Sequence, residues 1–297
     1  MAELILHHYD TSPFSEKVRA MLGVKSLAWR SVIQPVIMPK PELIPLTGGY
    51  RRIPVLQVGA DVFCDSQAIL EEIEARCPAP RMIQGADWAV NMFADRQWFQ
   101  ASVAVVFARI GDAVPRAFIE DREKLSGRPF DVQAMRAAEP FARAQWLAYA
   151  AWVDQALTAA PFLGGERPSL ADVAAWMPVW WAGGAAPDLL EGLERLGAWR
   201  ERMLAFGHGR REEMTTAEAL EVARGAQPRP AAVAADDPSR LRAGDHVTVQ
   251  ADDYGRDPVS GRLAGLTPTR VTLAREAGDL GLIHVHFPRA GYVLART

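Results

Sequence analysis

The hydrophobic pattern changes period twice along the 297 residues. At the start, Leu4-Ile5-Leu6-His7-His8-Tyr9 predicts a strand. Phe14, Val18, Met21 and Leu22 follow at i, i+4, i+7 and i+8, one apolar stripe of a helix. Ser12 offers its N-cap, Pro13 its first residue, and Gly23 its end. Trp29 to Val36 predicts a second strand, and Pro39 to Gly49 is too broken by proline for a long element. Pro54 to Val58 and Val62 to Cys64 predict two strands around the turn Gly59-Ala60-Asp61. Ser66 is expected to cap a last helix, with Ile69, Leu70 and Ile73 on its buried face and an end before Pro78. The order β-α-β-(α)-β-β-α predicts a small α/β domain over residues 1–80.

From 87 to 226 the period is almost wholly helical, as in Trp146, Tyr149, Ala150, Val153 and Leu157, and most of the nine Trp lie here. Aromatics at helical spacing read as core. Ser169-Leu170-Ala171-Asp172 has the spacing of a reciprocal N-cap and is read as structural. Residues 227–239, rich in Pro and Ala, read as a linker. From 240 to 297 the period becomes two, in short runs such as His246-Val247-Thr248-Val249 and Leu282-Ile283-His284-Val285-His286-Phe287. This predicts a separately folded, small all-β barrel, SH3-like in outline.

Composition narrows the function classes. With 49% apolar and 23% charged residues the chain reads as an ordinary globular protein. Lys plus Arg number 33 against 36 Asp plus Glu, so a net charge of −3 gives no support for nucleic-acid binding. Two cysteines cannot build a disulfide framework or a four-cysteine zinc site, and point to a reducing compartment. The N-terminus resembles neither a signal peptide nor a membrane span, which makes the cytoplasm the expected location.

Three places can carry chemistry. Tyr9-Asp10-Thr11-Ser12-Pro13-Phe14-Ser15 joins a strand to a helix whose first-turn amides lack partners; a hydroxyl there either caps the helix or meets a bound anion. Arg51-Arg52-Ile53-Pro54 precedes a strand; a cis bond at Pro54 would turn the Ile53 backbone outward to pair with an extended peptide. Asp65-Ser66 stands at another helix N-terminus, suited to a carboxylate or simply to capping. His284 and His286 share a strand face without acids or cysteines at ligand spacing, so no metal site is expected, and Cys64 reads as a small core residue.

In order and spacing, these three features resemble the thioredoxin-like N-terminal domain of cytosolic glutathione transferases. Phe162-Leu163-Gly164-Gly165-Glu166-Arg167-Pro168-Ser169-Leu170-Ala171-Asp172-Val173 is similar to that family's second-domain signature. The resemblance covers roughly residues 3–225 and leaves the tail outside. It implies a thioredoxin-like domain followed by an all-helical one, glutathione as co-substrate, a small electrophile as acceptor, and a homodimer. It further implies that Ile53, before Pro54, pairs its backbone with the cysteinyl unit, that Ser66 aided by Asp65 holds the γ-glutamyl group, and that Lys40, in Pro39-Lys40-Pro41-Glu42, meets the glycyl carboxylate. The Ser-Pro-Phe at Ser12 looks omega-like, with serine where that class has cysteine. A serine cannot form the mixed disulfide of thiol–disulfide exchange, but it can donate to a thiolate. Tyr9 and Ser15 are the other hydroxyls in reach, and the sequence leaves all three open.

The reading is thus conjugation of glutathione to an apolar electrophile, with Trp98, Phe99 and Phe107 expected to wall the acceptor site. Two rivals stand beside it: a non-catalytic scaffold of the same fold whose β-tail binds a protein partner, and a glutathione-dependent isomerase.

Overall fold

A computed structural model describes residues 3–297. Strand β1 (Ile5–His8) leads into helix α1 (Pro13–Val24), then β2 (Ala28–Ile33), the single-turn α2 (Leu43–Thr47), β3 (Val55–Val58), β4 (Asp61–Cys64) and α3 (Ser66–Arg76). β1 pairs parallel with β2 and antiparallel with β3, and β3 pairs antiparallel with β4, giving the thioredoxin-like arrangement. α1 starts as its sequence dictates. Pro13 needs no amide partner, and Ser12 Oγ accepts from Ser15 N at 3.2 Å. At its other end a Cβ on Gly23 would lie 2.0 Å from Gly207 O, so only glycine lets the following helical region come so close.

That region comprises α4 (Asp87–Phe93), a π turn over Ala94–Trp98, α5 (Phe99–Ile110), α6 (Arg116–Ser126), α7 (Val132–Ala156), α8 (Leu170–Ala185) and α9 (Glu194–Ala205). α8 is central, packing on α1, α4 and α5. Its N-terminus carries the expected reciprocal cap, and Asp172 does more than cap. Its carboxylate also accepts from Leu163 N, Gly164 N and Trp199 Nε1, at 2.8–2.9 Å. Trp98, Trp146, Trp176 and Trp199 are fully buried around it.

The helical expectation for 87–226 misses one strand. β5 (Arg210–Glu213) adds parallel to β2 before α10 (Thr216–Arg224) returns. Its Arg-Arg-Glu-Glu sequence has no apolar face, so hydrogen bonding to an open sheet edge makes it a strand.

The tail differs from the barrel expected of it. β6 (His246–Ala251), β7 (Val259–Leu266), β8 (Arg270–Glu276), β9 (Leu282–Pro288) and β10 (Tyr292–Arg296) form an open antiparallel array, with β10 beyond β6. β9 then pairs parallel with β4, so one ten-stranded sheet runs β10-β6-β7-β8-β9-β4-β3-β1-β2-β5. The tail cannot close on itself because the free edge of β9 is taken by β4. Alternating periodicity reports which faces are buried and is silent on which edges pair. Beneath the seam, Leu43, Val55 and Val62 pack in one apolar cluster with Val247, Leu273 and Phe287.

Candidate active site

At the start of α1, Ser12 is buried with its oxygen turned to the helix amides. Ser15 is fully buried, and its hydroxyl has no hydrogen-bond partner among the described residues. Burial raises the Tyr9 phenol above its ordinary range, opposed by Arg122 of α6 and by the Ser12 hydroxyl. Two hydroxyls, those of Tyr9 and Ser12, and the Arg122 guanidinium therefore meet at this helix end. α1 is held rigidly behind them: Glu16 accepts from Arg19 at 2.8 Å, Trp176 Nε1 at 2.9 Å and His208 at 3.0 Å.

The second feature is as the resemblance implies: the Ile53–Pro54 peptide is cis, immediately before β3. At the third, the capping differs from expectation. Asp65, not Ser66, is the N-cap of α3, accepting from Gln67 N at 2.9 Å, while Ser66 is the first helical residue. Asp65 holds φ at +79°, which swings its carboxylate back over the amide two residues on. Both residues are buried.

Asp65 has further partners the sequence did not reveal. Its Oδ2 accepts from Arg52 at 3.0 Å and from the Tyr292 hydroxyl at 2.9 Å. Arg52 also donates to Tyr254 O at 2.7 Å and Asp253 Oδ1 at 3.2 Å. Residues of the tail thus touch the α3 end of the site directly, although sequence patterning sets the tail apart. The paired arginines 51 and 52 were the available signal, but nothing local shows what they face.

Lys40 is 3% exposed, and its ammonium makes no hydrogen bond or ion pair among the described residues. Burial, then Arg122 and Arg51, lower its pKa to about 8, with Asp121 the one opposing carboxylate. Asp121 is itself shared between Arg51, Arg122 at 2.6 Å and Met38 N at 3.1 Å. Three cations around one carboxylate leave an excess of positive charge that suits an anion.

Next to α1 lies an aromatic wall. Phe14 packs on Phe99 at 4.8 Å, Phe99 stacks on Trp181 at 5.4 Å, and Phe107 joins Trp181 to Phe118 and Phe130. Phe99 and Phe107 are half-buried, whereas Trp98 is buried in the helical core against Trp146 at 5.6 Å and takes no part in this aromatic wall, contrary to expectation. Among the described residues no group of metal-ligating side chains is found, and no helix is long and apolar enough to cross a membrane. His286 instead serves the seam, bonded to Asp61 and Thr272.

The chain thus joins a thioredoxin-like sheet with a cis-proline to a helical region packed on α1. Residues 6–81 match the model of the glutathione S-transferase N-terminal domain and residues 96–202 that of the C-terminal domain. A GST-like protein from Pseudomonas syringae is 33% identical with a TM-score of 0.81, and the match spans 100% of both chains, tail strands included. The chain belongs to the glutathione S-transferase family. A glutathione S-transferase from Rhodospirillum rubrum F11 is 20% identical over 66% of this chain and 86% of its own, with a TM-score of 0.54. FzlA from C. crescentus is 24% identical over 68% and 87%, with a TM-score of 0.52. These two share the fold. No curated protein matches the chain.

Proposed function

We propose that the protein binds glutathione along the line from Lys40 through Ile53 to Asp65 and Ser66, and transfers its thiolate to a small apolar electrophile. Lys40, largely buried and with no carboxylate at ion-pair distance, carries this reading, because a cation partly withdrawn from water and without a counterion suits an anionic ligand group. In the pose this implies, the glycyl carboxylate meets Lys40 with Arg51 and Arg122 alongside. The cysteinyl backbone pairs with Ile53 before the cis Pro54, and the γ-glutamyl group reaches Ser66 and Asp65 at the α3 N-terminus. The sulfur then falls near the start of α1.

There the Ser12 hydroxyl donates to the sulfur, with Tyr9 and Ser15 as the neighbouring alternatives, and the α1 amides add their dipole. A thiol of pKa near 8.5 is only about 3% ionised at pH 7, so the site must favour the thiolate. The thiolate attacks an electrophilic carbon held against Phe14, Phe99, Phe107 and Trp181: a C–S bond forms while the carbon's bond to its leaving group breaks and that group departs with the electron pair. The same reading carries a cytoplasmic homodimer. Phe141 and Trp152 on α7, 71% and 59% exposed and about three turns apart on one face, are a surface that a second copy would cover.

Calorimetry with glutathione tests the reading. Ser66→Ala is expected to weaken binding by about 1–3 kcal/mol if its hydroxyl contacts the carboxylate. Unaltered affinity removes Ser66 from the site, and absence of any binding to the parent protein removes glutathione.

A further inference from the structure

Between the N-terminus of α3 and the tail lies a cavity of about 30 Å³, edged by Phe14, Arg52, Asp65, Arg96, Asp253 and Tyr292. That is room for about one water, against roughly 300–1,000 Å³ for a small-ligand site. What occupies the space is the loop from 252 to 258 between β6 and β7. Asp252 Oδ1 accepts from Arg96 at 2.6 Å, and Asp253 Oδ1 and Tyr254 O both accept from Arg52. Gly255, at φ +61°, is wedged at the tip: a Cβ there would lie 2.8 Å from Leu125 of α6 and 3.1 Å from Arg52 Cδ.

Arg52 is the pivot of this arrangement. One side of its guanidinium is fixed to Asp65 and the other faces the tail. A guanidinium fork is the side chain best matched to a carboxylate, and the adjoining α3 N-terminus favours the same charge. The carboxylate it holds is an internal one on a half-exposed side chain. Exchanging that carboxylate for a ligand's leaves the local charge unchanged and returns Asp253 to water at small cost.

We propose that Arg52 anchors the α-carboxylate of the ligand's γ-glutamyl group, and that Asp253 is a stand-in for that carboxylate, displaced on binding. The proposal rests on the glutathione reading above. It makes the tail part of the site: the β6–β7 loop fills the γ-glutamyl end until a ligand bearing its own carboxylate replaces it. Affinity is therefore set by competition between the two carboxylates for one guanidinium.

Two variants are titrated calorimetrically with glutathione and with 4-aminobutyryl-cysteinyl-glycine, which lacks only the α-carboxylate. Asp253→Asn is expected to bind glutathione about two- to five-fold more tightly, the worth of a surface ion pair. Arg52→Met is expected to lose about tenfold or more for glutathione and little for the analogue. Arg52→Lys, which keeps the charge without the fork, should fall between and guards against misfolding of the Met variant. If Asp253→Asn binds glutathione no more tightly while the parent binds it measurably, the stand-in role is wrong and the glutathione reading stands. If Arg52→Met weakens both ligands alike, Arg52 is a structural latch and the anchor role is wrong. If neither the parent nor Asp253→Asn binds glutathione at millimolar concentration, the glutathione reading falls and the proposal with it.

Discussion

His286 Nε2 lies 2.8 Å from Asp61 Oδ1, joining β9 of the tail to β4 across 225 residues of sequence. Thr272 Oγ1 meets the other ring nitrogen at 3.0 Å, and Arg229 donates its backbone amide to Asp61 Oδ2 at 3.1 Å. The ring stacks flat on Phe63 at 4.3 Å. Burial holds the imidazole below its ordinary pKa despite Asp61, so at neutral pH the contact is a hydrogen bond from a neutral imidazole to the Asp61 carboxylate. Asp61→Ala would leave buried donors unmatched and is expected to cost about 3 kcal/mol, read as a lower midpoint in urea. A variant that unfolds with the parent would show that the seam contributes nothing.

Acid should weaken the fold in a definite order. His7 is lowered to about 4, His8 to about 3, and His286 below 6.5, each chiefly by burial. Between those values and 6.5 the unfolded chain binds protons that the folded chain does not, so stability falls as pH drops from about 6.5, by about 1.4 kcal/mol per pKa unit held down. Asp61 is pushed up by burial but lowered overall by His286 and Arg229, so its contribution is lost only below about pH 4. Urea midpoints flat from pH 7 to pH 4 would contradict this.

Lys40 gives a test in the opposite range. With its pKa at about 8, it is charged in neutral solution and loses that charge as pH rises through 8. An anion bound there favours the charged form, so binding of S-methylglutathione, which has no thiol proton to release, should take up a proton near pH 8–9, and its affinity should decline above pH 8. Calorimetry in buffers of different ionisation enthalpy measures the uptake. Zero uptake, with affinity level to pH 9.5, places the carboxylate elsewhere.

Ser12→Ala should raise the bound thiol's pKa and slow conjugation, with little change in glutathione affinity. Lowering a thiol by two units represents about 2.7 kcal/mol, more than one neutral hydrogen bond supplies, so the α1 amides must share the work. Ultraviolet titration of the bound thiolate assigns the contact. If Ser12→Ala titrates like the parent while Tyr9→Phe or Ser15→Ala shifts, the sulfur belongs to that hydroxyl.

Truncation near Asp237 probes the tail. Patterning alone expects the rest of the chain to keep its fold and its glutathione affinity. The structure leads to another outcome, because Leu43, Val55 and Val62 are fully buried in a cluster shared with the tail. Exposing a buried side chain of this size costs about 1.5–3 kcal/mol, and a few of them consume a typical stability of about 5–15 kcal/mol. The truncated chain should aggregate or melt well below the parent in circular dichroism. A soluble product with the parent's midpoint would show that the shared core is not shared energetically.

The sequence by itself determined the elements and the motifs. Period, proline and capping residues act within a few positions of each other, so α1, α3, the α8 cap and the order of β1 to β4 could be read directly. The Ser12, Ile53-Pro54 and Asp65-Ser66 set could be ordered along the chain in the same way. Only the tertiary structure decided what depends on distant partners. β5 exists because β2 had an open edge; no apolar alternation announces Arg210 to Glu213. The tail is an extension of the central sheet because β4 takes the edge of β9, and strand edges carry no signature in the pattern of faces. Arg52 meets Asp253 and Asp65 meets Tyr292 for the same reason: each ion pair or hydrogen bond joins residues that become neighbours only once that sheet has formed.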